Sequence, residues 1–341
     1  MDMKNSYTII IFILLALVSW YLFSEFSLRN YIFLIPILFA IQILLNDLLE
    51  SYLNRKLKER YFSIVIAPGT IVHEISHAFA AKITGCKIKG ISFFSPDQRG
   101  GVLGFVEYIQ PRDRFHVIRN LLIGFAPFFG CGIFLIALFN YLAQQNPDIS
   151  LISPDLVKIE DISGILPTMI SIMEKFYEQL IFLDLSNPII LLILYLEFSI
   201  SLGTAPSSKD FGDFFHSIAK YKLQTIIIIL LIISIILLTE YAPDEYGISC
   251  IMVLAFKWMI LILMISLSLL LISIPLTYTI INITEIRGVY KIIPVLSFLL
   301  IYFFTTKILN STREISLISS VIFFLTSLFI LRYPRFFIKP K

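Results

Sequence analysis

Residues 61–83 read Tyr-Phe-Ser-Ile-Val-Ile-Ala-Pro-Gly-Thr-Ile-Val-His-Glu-Ile-Ser-His-Ala-Phe-Ala-Ala-Lys-Ile. The run is largely apolar and long enough to cross a bilayer as a helix. Inside it stand two histidines and a glutamate, His73, Glu74 and His77. Ionisable groups are costly at membrane depth and are usually kept there for function. The rest of the chain repeats the apolar texture. Of 341 residues, 57% are hydrophobic and 15% charged, and mean hydropathy is +0.87. Soluble domains carry about 25% charge, so a soluble enzyme and a disordered chain are both excluded. The expected fold class is an all-α polytopic membrane protein.

Apolar runs cover 8–23, 31–45, 61–83, 119–143, 188–203, 225–238, 248–281, 292–306 and 315–331. They predict about nine transmembrane segments, with a range of 8–10 because 248–281 is long for one span and short for two. The first run has the length of a signal peptide, but Ser19-Trp20-Tyr21 is no small-residue cleavage site, so it reads as an uncleaved anchor. Within 88–108, two β-prone runs flank a turn built from Pro96, Asp97, Gly100 and Gly101, which is a hairpin signal. The expected organisation is an N-terminal transmembrane pair and basic loop at 1–60, then a core at 61–222 and a C-terminal transmembrane unit at 223–341. The core holds the hairpin 88–108 and an acidic loop at 144–185. Arg332, Arg335, Lys339 and Lys341 place the C-terminus in the cytoplasm, and counting back puts the acidic loop outside. The apolar runs make a lipid bilayer the expected partner, and a near-balanced net charge of +3, with basic residues scattered through loops, implies no nucleic acid. Cys86, Cys131 and Cys250 have no paired spacing and read as small packing residues.

His73-Glu74-Ile75-Ser76-His77 is H-E-x-x-H. From average composition the pattern arises by chance in roughly 1% of chains this long. Residues four apart share a helix face, so two imidazoles can ligate one Zn²⁺ while Glu74 leans toward its open position. There a carboxylate takes a proton from water and later hands it to a leaving amine. Pro68 is expected to break the incoming helix and Thr70 to cap a new one. The histidines would then lie in its first turns, where the dipole favours neutral imidazole. Zinc needs a third protein ligand. Asp210, in the segment 203–213 rich in small residues after an apolar run, is the candidate; Asp213, His216 and Glu197 are alternatives. His116 sits among Arg112, Arg114 and Arg119 and reads as interfacial.

These features together resemble the site-2 protease family of intramembrane zinc metalloproteases. The shared elements are His73-Glu74-Ile75-Ser76-His77-Ala78 in a transmembrane run, the glycine-bearing hairpin at 88–108, Gly124-Phe125-Ala126-Pro127, and a later Pro-containing segment ending at Asp210. They span about 61–215, under half the chain. The resemblance implies zinc held by His73, His77 and Asp210, with Glu74 as the acid/base. It also implies a transmembrane protein or peptide as substrate, docking on the hairpin as an added strand; bracing of the catalytic helix is the hairpin's other reading. The aspartate segment departs from the family pattern: no Asn precedes Pro206, Lys209 replaces Leu, and Phe211 replaces Gly. That departure motivates an alternative, a non-proteolytic membrane scaffold or regulatory binding protein. A transporter is a third reading, resting on the intramembrane charges Glu197 and Lys257.

Overall fold

The computed structural model describes residues 3–332 apart from 27, 57–58, 94–103, 112, 114, 147, 160–161, 184–186, 205–207, 242–247, 287 and 310–312. The hairpin turn at Pro96, Asp97, Gly100 and Gly101, the loop residues Arg112 and Arg114, Pro206, and the tail at Arg335, Lys339 and Lys341 thus lie outside the described residues. The elements in order are α1 (Met3–Leu22), α2 (Arg29–Lys56), α3 (Glu59–Ile83), β1 (Lys87–Ser92), β2 (Phe105–Ile109), α4 (His116–Gln144), α5 (Ile165–Phe182), α6 (Pro188–Thr204), α7 (Ser208–Lys220), α8 (Lys222–Tyr241), α9 (Ile248–Glu285), α10 (Ile292–Phe303) and α11 (Arg313–Arg332). Among the described residues, five helical stretches are long and apolar enough to cross a membrane: Arg29–Leu53, Ile64–Ile83, His116–Gln144, Lys222–Tyr241 and Ser249–Ile283. Four apolar helices are shorter, namely Tyr7–Leu22, Pro188–Thr204, Gly288–Phe303 and Ser319–Arg332. The run expected at 248–281 forms one unbroken helix, α9, of 38 residues. At the ordinary helix rise that is about 57 Å, nearly twice the hydrocarbon thickness.

The chain divides into two units, Met1–Leu271 and Ile272–Lys341. In the first, α9 is buried on every face from Ile260 to Leu270. A helix apolar all round belongs in the middle of a bundle. Gly132 of α4 admits it closely, since a Cβ there would lie 2.4 Å from Ile262 Cγ2. A polar thread crosses the same region. Gln42 Nε2 of α2 donates to Ser266 Oγ at 2.7 Å, and Ser266 Oγ donates to the Ser201 carbonyl of α6 at 3.2 Å. The Phe39 ring of α2 packs on Phe125 and Phe128 of α4 at 5.6 and 4.8 Å. By contrast, α8 leaves Ile226, Ile227, Leu230 and Leu231 more than half exposed. Such a face is a liability in water and an ordinary outer surface in lipid.

The acidic stretch at 144–185, expected as a loop, contains the helix α5 and is tied to α4. Gln179 Nε2 donates to the Phe139 carbonyl at 3.2 Å, and Phe176 meets the Phe139 ring edge-on at 4.9 Å. The Asn140 side chain acts as a peptide group toward Ile152, accepting its N–H at 2.8 Å and donating to its carbonyl at 3.1 Å. In the second unit, α10 and α11 pack through Ser297 and Ser327, whose hydroxyls are 3.1 Å apart, and through the Phe298 and Phe324 rings at 6.5 Å. A π-helical turn at Phe304–Ile308 follows α10.

Candidate metal centre

Helix α3 runs unbroken from Glu59 to Ile83 with Pro68 inside it. The expected break at Pro68 and the cap at Thr70 are therefore corrected. Thr70 lies mid-helix, with its hydroxyl donating to the Ile66 carbonyl at 3.1 Å. A proline leaves the carbonyl four residues earlier without its helical partner. Here that carbonyl, of Ile64, accepts from the Tyr195 hydroxyl of α6. The next amide, Gly69 N–H, donates to Ser199 Oγ at 2.9 Å. A neighbouring helix thus satisfies the backbone groups at the proline, as membrane-embedded prolines require. The crossing is tight: a Cβ on Gly69 would lie 2.0 Å from the Ser199 carbonyl oxygen, and one on Gly203 would lie 2.6 Å from that of Gly69. Tyr195, Ser199 and Gly203 recur every fourth residue and meet Ile64, Gly69 and His73 in order, so α3 and α6 run parallel.

That register ends on the motif. His73 Nδ1 lies 2.8 Å from the Gly203 carbonyl oxygen, and His77 Nδ1 lies 2.9 Å from that of Ile123 on α4. A carbonyl only accepts, so each Nδ1 carries its proton and donates. In the neutral rings both Nε2 atoms then bear lone pairs. These two atoms face each other at 3.2 Å, with ring centroids 4.8 Å apart and planes inclined at 76°. Two lone pairs facing each other at that distance repel unless a cation lies between or beside them. Two nitrogens on one tetrahedral zinc, each about 2.0–2.1 Å from the metal, stand roughly 3.3 Å apart. The donor pair fits such an ion, and the Nδ1–H···O=C bonds are the outer contacts that orient metal-binding histidines. The tautomer is thus set by two backbone carbonyls, and the pair lies within α3, not at a helix start. Helix α6 ends at Thr204, so its negative dipole end lies beside the pair and favours a cation there.

Glu74 is half-buried on the same helix. The hairpin lies over it. β1 and β2 pair antiparallel, with Ser92 opposite Phe105 and an irregularity between Ile88 and Gly90. Gly104, just before β2, is packed so closely that a Cβ would lie 2.6 Å from Glu74 Cγ and 3.1 Å from both Thr70 Cγ2 and the Ser92 carbonyl oxygen.

Among the described residues, no group of three or more His, Cys, Asp or Glu gathers within reach of one metal ion. Asp210 falls in the first turn of α7; its side chain and that of Asp213 lie outside the described residues. His216 is exposed. Glu197 is buried, 2% exposed, and its Oε1 has no hydrogen-bond partner among the described residues. His116 does not join the pair either. Its ring stacks on Tyr221 at 4.8 Å, and its Nδ1 donates to Gln110 Oε1 at 2.9 Å. Gln110 donates onward to Asn120, and Asn120 Nδ2 donates to Ser217 Oγ at 2.9 Å, which fastens α7 to α4. Nearby, Arg119 Nε donates to the Thr84 carbonyl at 3.0 Å and its guanidinium pairs with Asp113. That hydrogen bond from Arg119 holds the Asp113 carboxyl below the usual carboxylate range. Burial pushes the neighbouring Cys86 thiol up.

The sequence reading passed over Gly69, Gly104, Tyr195, Ser199 and the carbonyls of Ile123 and Gly203. The four-residue spacing of Tyr195, Ser199 and Gly203 was a legible signal for a helix contact; the carbonyls carry no side-chain signature at all. No protein-family model, curated protein or solved structure matches this chain.

Proposed function

We propose that this protein is an intramembrane zinc metalloprotease of the site-2 protease type. In this reading it crosses the membrane about nine times, has a cytoplasmic C-terminus, and cleaves peptide bonds of transmembrane proteins or peptides. The observation that carries the reading is the pair of Nε2 atoms 3.2 Å apart, each ring held by a carbonyl on its far nitrogen. His73 and His77 would hold one zinc per chain, with Asp210 as third ligand. Bound there, zinc supplies Lewis acidity, lowering the pKa of a water toward about 7 and polarising the scissile carbonyl. Glu74 takes the proton of the attacking water onto its carboxylate and delivers it to the leaving nitrogen. The Gly203 and Ile123 carbonyls orient both imidazoles and fix the proton of each neutral ring on Nδ1, leaving Nε2 for the metal. A helical substrate hides its amides and must unwind before attack; the hairpin offers backbone groups with which an extended segment can pair.

Metal analysis of the full chain purified in detergent tests this. Wild type is expected to carry about one zinc. His77→Ala and Asp210→Ala lose it, Glu197→Ala keeps it, and Glu74→Gln keeps it while cleavage of membrane substrates falls by at least ~10²-fold. Loss in Glu197→Ala with retention in Asp210→Ala reassigns the third ligand. A folded wild type that takes up no zinc when supplied overturns the protease reading in favour of a non-proteolytic scaffold.

A further inference from the structure

We propose that Gly104 is a positioning residue for Glu74: the missing side chain at 104 leaves the room that the Glu74 stem occupies, and through this contact the hairpin sets where the carboxylate stands. The proposal deepens the reading above, since it rests on Glu74 as the proton carrier.

The argument begins with lengths. After α3 ends at Ile83, the chain doubles back along it, with both strands packed against the helix. The five rises of β1 cover about 17 Å, and the same distance measured back along a helix is about eleven residues. Eleven residues before Ile83 lies Val72, between Thr70 and Glu74. The strand therefore brings Ser92 and Gly104 over this one turn of α3, and Gly104 packs against both Thr70 and Glu74. A Cβ at 104 would be boxed on three sides. The Ser92 carbonyl is fixed by its strand, and the Thr70 methyl belongs to a β-branched side chain that is stiff at χ1. Glu74 Cγ, at 2.6 Å, is the closest atom, and it belongs to an unbranched side chain with several rotatable bonds. It is the one that gives, and rotation about Cα–Cβ swings the carboxylate to a new place. His73 and His77 are held from α6 and α4, away from this contact. Gly104→Ala thus moves the proton carrier and leaves the histidine pair in place.

A thermal-unfolding cycle on the full chain in detergent tests the contact, with zinc content measured alongside. Gly104→Ala is expected to lower Tm by on the order of 5 °C in wild type and by less than half as much in Glu74→Ala, where the Cγ is gone. Thr70→Ser, which removes the more distant methyl, recovers less of the loss than Glu74→Ala does. Equal shifts in the wild-type and Glu74→Ala backgrounds overturn the proposal, because a merely structural glycine loses the same stability in both. Should Gly104→Ala alone fail to fold, recovery of the folded double variant Glu74→Ala/Gly104→Ala supports the contact, and failure to recover overturns it. Zinc retained in Gly104→Ala supports the separation of carboxylate from histidine pair, and zinc lost in it overturns that separation. Wild type without zinc removes the protease reading while leaving the stability cycle to judge the contact by itself.

Discussion

The His77 ring donates to a backbone carbonyl, and its tautomer follows from that bond. The Ile123 oxygen accepts from Nδ1–H, so in the neutral ring Nε2 carries a lone pair that faces that of His73. A few residues away, a charged pair acts on stability. The Asp113 carboxyl, held low by Arg119, is more acidic folded than unfolded. A group of that kind stabilises the fold above its unfolded pKa, and the contribution is lost as pH falls through the folded value. Asp113→Asn is therefore expected to lower Tm modestly at neutral pH, and the difference from wild type narrows below the ordinary carboxylate range. Paired melting curves at pH 7 and at acid pH check this; a difference independent of pH would deny the ionic origin. Glu74 was legible as a residue because H-E-x-x-H is a rare word. Its neighbour Gly104 was not, because a glycine in a hairpin has many uses and its partner lies thirty positions earlier.

At the scale of elements, the contact between α3 and α6 positions the centre. Pro68 frees the Ile64 carbonyl and Tyr195 takes it up. The two features therefore depend on each other. Tyr195→Phe alone is expected to destabilise by about 1 kcal/mol or more, since it leaves a carbonyl unpaired. In a Pro68→Ala background residue 68 regains its amide, the helix pairs Ile64 internally, and the loss from Tyr195→Phe shrinks. Reversible unfolding of the four proteins measures the coupling; additive losses would mean that the hydroxyl does not serve the proline. The sequence alone leads to the expectation that Pro68 breaks the helix and Thr70 caps a new one. The outcome was an intact helix, because which groups repair a proline is a property of the neighbouring helix.

For the whole molecule, surface exposure separates two helices of similar composition. α8 presents Ile226 and Leu230 outward, whereas α9 is buried from Ile260 to Leu270. A carbene reagent dissolved in the bilayer is expected to label α8 heavily and to spare 260–270. Heavy labelling of 260–270 would contradict the bundle. Hydropathy ranks both runs as apolar and cannot order them, because burial against protein and burial against lipid demand the same side chains.

The sequence by itself determined that the chain is mostly helical with one hairpin and carries helices long and apolar enough to cross a membrane, through long, sparsely charged apolar runs. It also put His73, Glu74 and His77 together as candidates, through residue types at a spacing that shares one face. Only the tertiary structure decided what surrounds that centre: the carbonyls of Gly203 and Ile123 on the rings, the Gly69–Gly203 crossing, and the glycine over Glu74. The physical reason is that side-chain chemistry is written residue by residue, whereas backbone carbonyls and vacant Cβ positions acquire meaning only from what packs against them.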